Sequence, residues 1–320
     1  MTIDLFASGR DPQDDYALTG PHPDDPDAIE TFVVWLHDKH ANAGVELRIH
    51  AKDGAAQGRA VVFLPDGRIL EGGPEGAPIA AGNSPETEHV HYRCLQPFRH
   101  WTYRLSDFPT WTTSDEAHHR GDVVPGPSTT VSLEFDAIAA APIWIQGALL
   151  PEARAVMDGP VGLWIAGRLT SGMTRSAFRY DQALAATGTI TVDGDAIDFT
   201  GYGLRGHVRG VRIMEGFKSH TWMGAVFPDS GRSIGLQCHV RVWRPWRLGL
   251  TRFTGRDDRI AWTSMGDRGL GEAGSMPVAT TYGIGPVRGR RDDAARLMSQ
   301  ALAGFEWDGE RGYGMCERSG

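Results

Sequence analysis

The chain has 320 residues, 41% of them hydrophobic and 22% charged, with a formal net charge of −8. That balance excludes wholesale disorder, and the length suits two units of about 150 residues. The acidic excess and a pI near 5.8 argue against nonspecific nucleic-acid binding. The longest apolar run, AIAAAPIWIQGALL (137–150), is broken by Pro, Gln and Gly and falls short of a membrane span.

The opening MTIDLFASGRDPQDD has no basic segment followed by an apolar core, so no secretory signal is read and a cytoplasmic location is expected. Residues 11–30 are acidic and proline-rich and read as an irregular lead-in. Strands follow. TFVVWLHD (31–38), GVELRIHAK (44–52) and GRAVVFLPDGRILEGG (58–73) are rich in β-branched and aromatic residues and bounded by glycines. Asp66-Gly67 marks a hairpin, because glycine accepts the positive φ of a tight turn, and Asp193-Gly194 repeats the signal. Pro228-Asp229-Ser230-Gly231 divides TWMGAVF from RSIGLQCHVRVW. AVVFLPDGRILEG (60–72) and GAVFPDSGRSIGL (224–236) echo each other faintly, as two similar units would.

Residues 147–176 lack clean alternation and read as a connection with a short helix at PEARAVM. In RDDAARLMSQALAGF (291–305) apolar residues at 294, 297, 298, 301, 302 and 305 have helical spacing, and GYGMCER reads as a last strand. The expectation is an all-β protein of two antiparallel barrel or sandwich units in tandem, 1–176 and 177–320, with short helices in the connection and near the C-terminus.

Cys94, Cys238 and Cys316 lie far apart, without disulfide or zinc spacing. His89-x-His91, His118-His119, His37/His40 and Cys238-His239 offer donors but no carboxylate–histidine pattern, so no metal is expected. GIGPVRGR (283–290) lacks the strand–turn–helix setting of a dinucleotide fingerprint and reads as a loop; no cofactor is expected. The basic-aromatic run HVRVWRPWRLGLTR (239–252) reads as structural, its cations turned to water.

The chemistry concentrates in DFTGYGLRGHVRGVR (198–212). Strand alternation projects Arg205, His207 and Arg209 together, with Leu204, Gly206 and Val208 on the other side. Such a trio either faces water on a half-buried strand or lines a pocket. The arginines, Arg212 included, repel a proton and favour a neutral imidazole, and glycines at 201, 203, 206 and 210 leave room for a close approach. Trp101 and Tyr103 alternate on one predicted strand, and Trp144 and Trp222 are further aromatics that either wall an apolar ligand or fill a core.

The stretch 178–212 resembles a two-domain lipocalin-like family related to carotenoid hydratases, whose fold is shared with lipocalin-like Diels–Alderases. The resemblance rests on Tyr180-Asp181-Gln182, where the family has Tyr-Glu-Gln, then Asp193-Gly194, Gly201, Gly203, Arg205, His207, Gly210 and Arg212. The family's Asp before the histidine is Gly206 here, and its Ser-Trp after it is Val208-Arg209. The resemblance implies tandem lipocalin-like barrels and a small hydrophobic substrate, of terpenoid, steroid or aromatic type. It also implies hydratase, dehydratase, isomerase or cyclase chemistry without a cofactor. Asp181 is then the candidate proton donor, Tyr180 or His207 its partner, and Arg205 or Arg209 the support for developing negative charge. Gln182, Trp101, Tyr103, Trp144 and Trp222 are candidate substrate contacts. This scheme requires Asp181 and His207 to face one enclosed cavity. A non-catalytic carrier of the same kind of ligand is the alternative. A homodimer is an expected partner state, with no nucleic acid and no stable membrane insertion.

Overall fold

The structure is a computed structural model that describes residues 6–18, 26–52, 55–78, 84–113, 127–145, 174–212, 217–243, 246–254, 263–265, 280–288, 297–307 and 309–319. A 3-10 turn, Pro12–Asp15, precedes β1 (Ile29–Asp38), β2 (Ala43–Lys52), β3 (Ala55–Phe63), β4 (Ile69–Pro78), β5 (Val90–Gln96), β6 (His100–Thr113), β7 (Ser128–Ala139) and β8 (Trp144–Ile145). Then come β9 (Thr174–Val192), β10 (Asp195–Arg212), β11 (Phe217–Phe227), β12 (Arg232–Trp243), β13 (Trp246–Thr254) and β14 (Thr263–Met265). The chain finishes with β15 (Thr280–Arg288), β16 (Leu297–Trp307) and β17 (Glu310–Ser319).

The first sheet runs β10-β1-β2-β3-β4-β6-β7-β9-β8, and β10 also pairs β9, so the sheet closes on itself into a barrel with β5 alongside β6. All of its pairings are antiparallel, and the long β9–β10 hairpin is the closing piece. Its turn has positive φ at both Asp193 and Gly194, the geometry that matches strand twist in two-residue hairpins. The other Asp-Gly signal works differently. Leu64 and Arg68 flank a three-residue loop in which Gly67 alone takes positive φ.

The second sheet, β14-β13-β12-β11-β17-β16-β15, lies against the barrel's outer face. Alternation on each strand divides two cores. Phe32, Val34, Leu36, Leu47, Ile49, Tyr103, Leu133, Phe135 and Phe199 fill the barrel. Val33, Trp35, Val61, Ala183 and Leu204 point the other way and pack with Trp222, Val226, Leu302 and Met315 of the second sheet. Arg48 on β2 pins the two sheets through a buried ion pair to Glu317 on β17 (2.8 Å).

Three readings of the sequence change. The Tyr-Asp-Gln and Arg-Gly-His segments, assigned to the second unit, are strands of the first barrel, because Leu184, Ala186, Ile190 and Phe199 belong to its core. The helix over 291–305 is replaced by β16 from Leu297 onward. This strand is central, and Leu302, Ala303 and Phe305 are all buried, so consecutive apolar positions imitate helical spacing. GIGPVR lies within β15, an edge strand where Pro286 is tolerated. The expected helix at PEARAVM falls outside the described residues.

The closing hairpin passes so near β1 that a Cβ on Gly203 would sit 1.6 Å from the Trp35 carbonyl oxygen. Gly203→Ala should therefore cost about 3 kcal/mol, read from urea unfolding; an unchanged midpoint would contradict this packing.

Candidate functional site

The inner side of β10 carries Arg205, His207 and Arg209 into the barrel, not toward water; they are 4%, 1% and 7% exposed. Register sets Gln182 and Tyr180 of β9 beside Arg205 and His207, and Glu30 of β1 beside Arg209. The remaining member comes from the lead-in. Asp11 caps the Pro12–Asp15 turn by accepting from the Gln13 amide, and the turn drives Asp15 into the barrel end with no exposure.

Arg205 Nη1 donates to Asp15 Oδ1 (2.8 Å), Nη2 reaches Oδ2 (3.3 Å), and Nε donates to Gln182 Oε1 (2.8 Å). Asp15 also accepts from the Phe98 amide (2.6 Å), Trp101 Nε1 (3.2 Å) and the Tyr180 hydroxyl. That hydroxyl meets His207 Nδ1 at 3.1 Å, and His207 Nε2 meets Glu30 Oε1 at 2.7 Å. Glu30 Oε1 further accepts from Arg209 Nε (2.9 Å) and Nη2 (2.7 Å), and its other oxygen accepts from the Leu18 amide (2.9 Å). Phe32 stacks on the imidazole with centroids 4.1 Å apart.

Burial alone would raise the Asp15 carboxyl, but the charge and hydrogen bonds of Arg205 with the Phe98 amide and Tyr180 hydroxyl hold it below the usual carboxylate range. Burial likewise opposes ionisation of Glu30, yet His207, Arg209 and the Leu18 amide bring it down to about 2. For His207 burial outweighs the pull of Glu30, and the imidazole is held below its ordinary value. A neutral ring beside an ionised Glu30 keeps its proton on Nε2 and a lone pair on Nδ1. The Tyr180 hydroxyl proton then has two acceptors in reach, Asp15 Oδ1 and His207 Nδ1. Two arginines face two carboxylates around a neutral ring, so the cluster is balanced in charge.

Asp181 is elsewhere. It follows Tyr180, so alternation sends it out of the barrel, in register with Gly206, into the layer between the sheets. The expected pairing of Asp181 with Tyr180 or His207 in one cavity is thereby overturned: the backbone of the sheet separates them. Asp181 is 6% exposed; Arg179 donates to its Oδ1 from Nε (3.4 Å) and Nη2 (3.3 Å). The Arg179 guanidinium lies 5.2 Å from the Trp222 ring centroid, and Trp222 is buried. A Cβ on Gly206 would stand 3.0 Å from Asp181 Oδ1, 3.2 Å from Val33 Cγ1 and 3.6 Å from Trp222 Cη2.

Of the expected substrate contacts, Trp101, Tyr103 and Gln182 are barrel-core residues. Gln182 Nε2 donates to the Phe98 (2.8 Å) and Ala141 (3.0 Å) carbonyls, and Trp101 stacks on Tyr103. Trp222 lies in the intersheet layer beside Asp181. Trp144 on β8 pairs with Asp181, its side chain outside the described set. Asp15 and Glu30 escape sequence reading, because isolated carboxylates in an acidic segment carry no periodic signal; only the two arginines on one side of the strand, Arg205 and Arg209, hint at them.

Burial with the neighbouring Asp15 pushes the Cys94 thiol up to about 12, which makes it inert as a nucleophile. Among the described residues no three His, Cys, Asp or Glu side chains gather as a metal set, and no helix is long and apolar enough to cross a membrane.

A closed antiparallel barrel with a second antiparallel sheet against its outer face is an all-β, lipocalin-like architecture, in keeping with the resemblance carried by 178–212. The chain belongs to the family described as domain of unknown function DUF7064, whose model matches residues 11–249. Among curated proteins none matches the sequence. Among solved structures, it is similar to a Nitrosomonas europaea protein provisionally named AttH (NE1406), at 14% identity and TM-score 0.57, covering 93% of this chain and 94% of that one. CghA is similar at 8% identity and TM-score 0.47, over 92% and 88% of the two chains. Kievitone hydratase from Nectria haematococca is similar at 11% identity and TM-score 0.38, over 91% and 88%.

Asp15→Asn keeps the shape of the carboxylate but leaves Arg205 without its counter-charge, and should cost about 3 kcal/mol by urea unfolding; a loss below about 1 kcal/mol would remove the ion pair from its central position. Stability should also fall in two acid windows. Burial holds His37 at about 4 against an ordinary 6.5, so the unfolded chain gains a proton first and stability declines as pH drops from 6.5 toward 4. His207 adds in the same direction. Glu30, depressed from 4.5 to about 2, gives up its contribution only between those values. Unfolding free energies measured at pH 7, 5 and 3.5 check this order, and a His37→Gln variant should flatten the upper window.

Proposed function

We propose that the chain is a cofactor-independent enzyme of lyase or isomerase type that acts on a small hydrophobic molecule in the layer between its two sheets, with Asp181 as the acid–base group. The observation that carries this reading is the position of Asp181 Oδ1, 3.0 Å from where a Cβ on Gly206 would stand. The family resembled in 178–212 has a carboxylate at 206. Here glycine vacates that place and a carboxylate from the neighbouring strand leans into it. The walls around it, Val33, Leu204, Ala183 and Trp222, are apolar, the setting in which a proton donor is effective on a carbon–carbon double bond or an alcohol.

In the hydration direction the Asp181 carboxyl gives its proton to one alkene carbon and water attacks the other. The proton that water loses restores the carboxyl. Elimination runs the same steps backward, and isomerisation uses the proton transfers without water. Arg179, at the more open rim with 15% side-chain exposure, steadies the carboxylate between steps. His207, Tyr180, Arg205 and Arg209 serve as the positioning framework that fixes β9 and β10, and so fixes Asp181 over Gly206. A cytoplasmic homodimer is the expected setting.

Native mass spectrometry of the purified protein should reveal a co-purified apolar molecule. Incubated in D2O, the wild type should convert it with a mass change of one water or none beyond deuterium uptake. Asp181→Asn should retain it while turnover falls by about 10²-fold or more. Return of the unchanged molecule by the wild type would favour the carrier instead.

A further inference from the structure

The intersheet layer leaves hydrogen-bond donors unused. Across the barrel's outer face, strand register sets two adjacent rows: Asp181, Gly206, Val33, Arg48 and Arg59 in one, Ala183, Leu204, Trp35, Glu46, Val61 and Glu71 in the next. Trp222 covers Gly206 from the second sheet, next to Glu317 on the paired strand. The indole nitrogens of Trp35 and Trp222 are both buried and neither has a hydrogen-bond partner. Trp101, equally buried but inside the barrel, donates to Asp15. A buried donor without an acceptor forfeits its hydration with nothing in return, so native interiors rarely hold one, and this layer holds two among its described residues. A third unpaired indole, Trp111, is partly buried where β6 pairs with Glu71.

Charge in the same layer selects the acceptor. Among its described residues Asp181, Glu46, Glu71 and Glu317 stand against Arg48, Arg59 and Arg179, and those cations are already engaged by carboxylates. Burial, and after it the neighbouring Glu46, push the Glu71 carboxyl up against the pull of Arg59. An anionic ligand would add to the excess of carboxylates. A neutral oxygen would not, and a ketone oxygen can accept two N–H donors at once.

Resting on the intersheet reading above, we infer that the site selects neutral apolar ring compounds bearing a carbonyl oxygen, which the indole N–H groups of Trp35 and Trp222 recognise. This assigns specificity to Trp222, a substrate-contact candidate in the sequence, and to Trp35, which no sequence pattern marks.

The probes are 9-fluorenone, fluorene and fluorene-9-carboxylate, three compounds of nearly one shape that differ in the acceptor, titrated by calorimetry against the full chain. Fluorenone should bind at least about ten-fold tighter than fluorene, of the order of what satisfying one buried donor is worth, and the carboxylate should bind weakest. Trp222→Phe and Trp35→Phe keep an aromatic wall and should each shrink the ketone-to-hydrocarbon ratio, the double variant bringing it to one. A purely structural tryptophan would change stability without moving that ratio. Equal binding of fluorenone and fluorene, or tighter binding of the carboxylate, overturns the carbonyl inference and leaves the intersheet site standing. Gly206→Val, whose side chain crowds Asp181, Val33 and Trp222, should abolish binding of all three. Binding that survives it, or no binding by any probe to the wild type, overturns the site and the inference together.

Discussion

Arg205 is a permanent charge sealed inside a β-barrel, and the architecture can keep it there only while Asp15 is held against it. Taking such a charge from water costs several kcal/mol, which one well-made ion pair with its hydrogen bonds offsets and nothing weaker does. The constraint reaches far along the chain. It obliges the lead-in to enter the barrel end, where Ala7 packs with Phe98, Ile143 and Tyr180, and where Arg209 takes the Tyr16 carbonyl. It also ties β9 to β10 through Tyr180 and Gln182, so the polar end is cross-braced from distant parts of the sequence.

The same two strands do opposite work on their two faces. Inward residues at 180, 182, 205, 207 and 209 form a closed, charge-balanced network. Outward residues at 179, 181, 183, 204 and 206 meet the second sheet, where donors and acceptors are incompletely matched. A network with its groups paired rigidifies, and the layer outside it keeps buried donors and acceptors unmatched. The pleat keeps the two roles a residue apart and prevents their chemistry from mixing.

Much of this was legible in the sequence. Hairpin signals at 66–67 and 193–194, β-branched runs and the projection of Arg205, His207 and Arg209 to one side all correspond to the structure. What alternation could not say was which side is inward, since a barrel strand between two cores has no wet face. The same rule, applied to Tyr180 and Asp181 as immediate neighbours, already separates them; grouping them by chemistry concealed that. Leu302 and Ala303 misled because a strand covered on both faces loses its period of two. Asp15 was hidden for a plainer reason: its partner is 190 positions away, and no local pattern encodes that distance.

That distance has a consequence for how the protein comes into being. The barrel closes through β9 and β10, so while the polypeptide emerges from the ribosome β1 and β7 remain open edges until the chain has been made as far as Arg212. During that interval Asp15 and Glu30 await their cations, and the apolar interior is roofed on one side only. Folding dominated by such remote pairings is slow and exposes unpaired strands to neighbours. Until the hairpin arrives, the unclosed barrel presents two unpaired strand edges and its apolar interior to its surroundings.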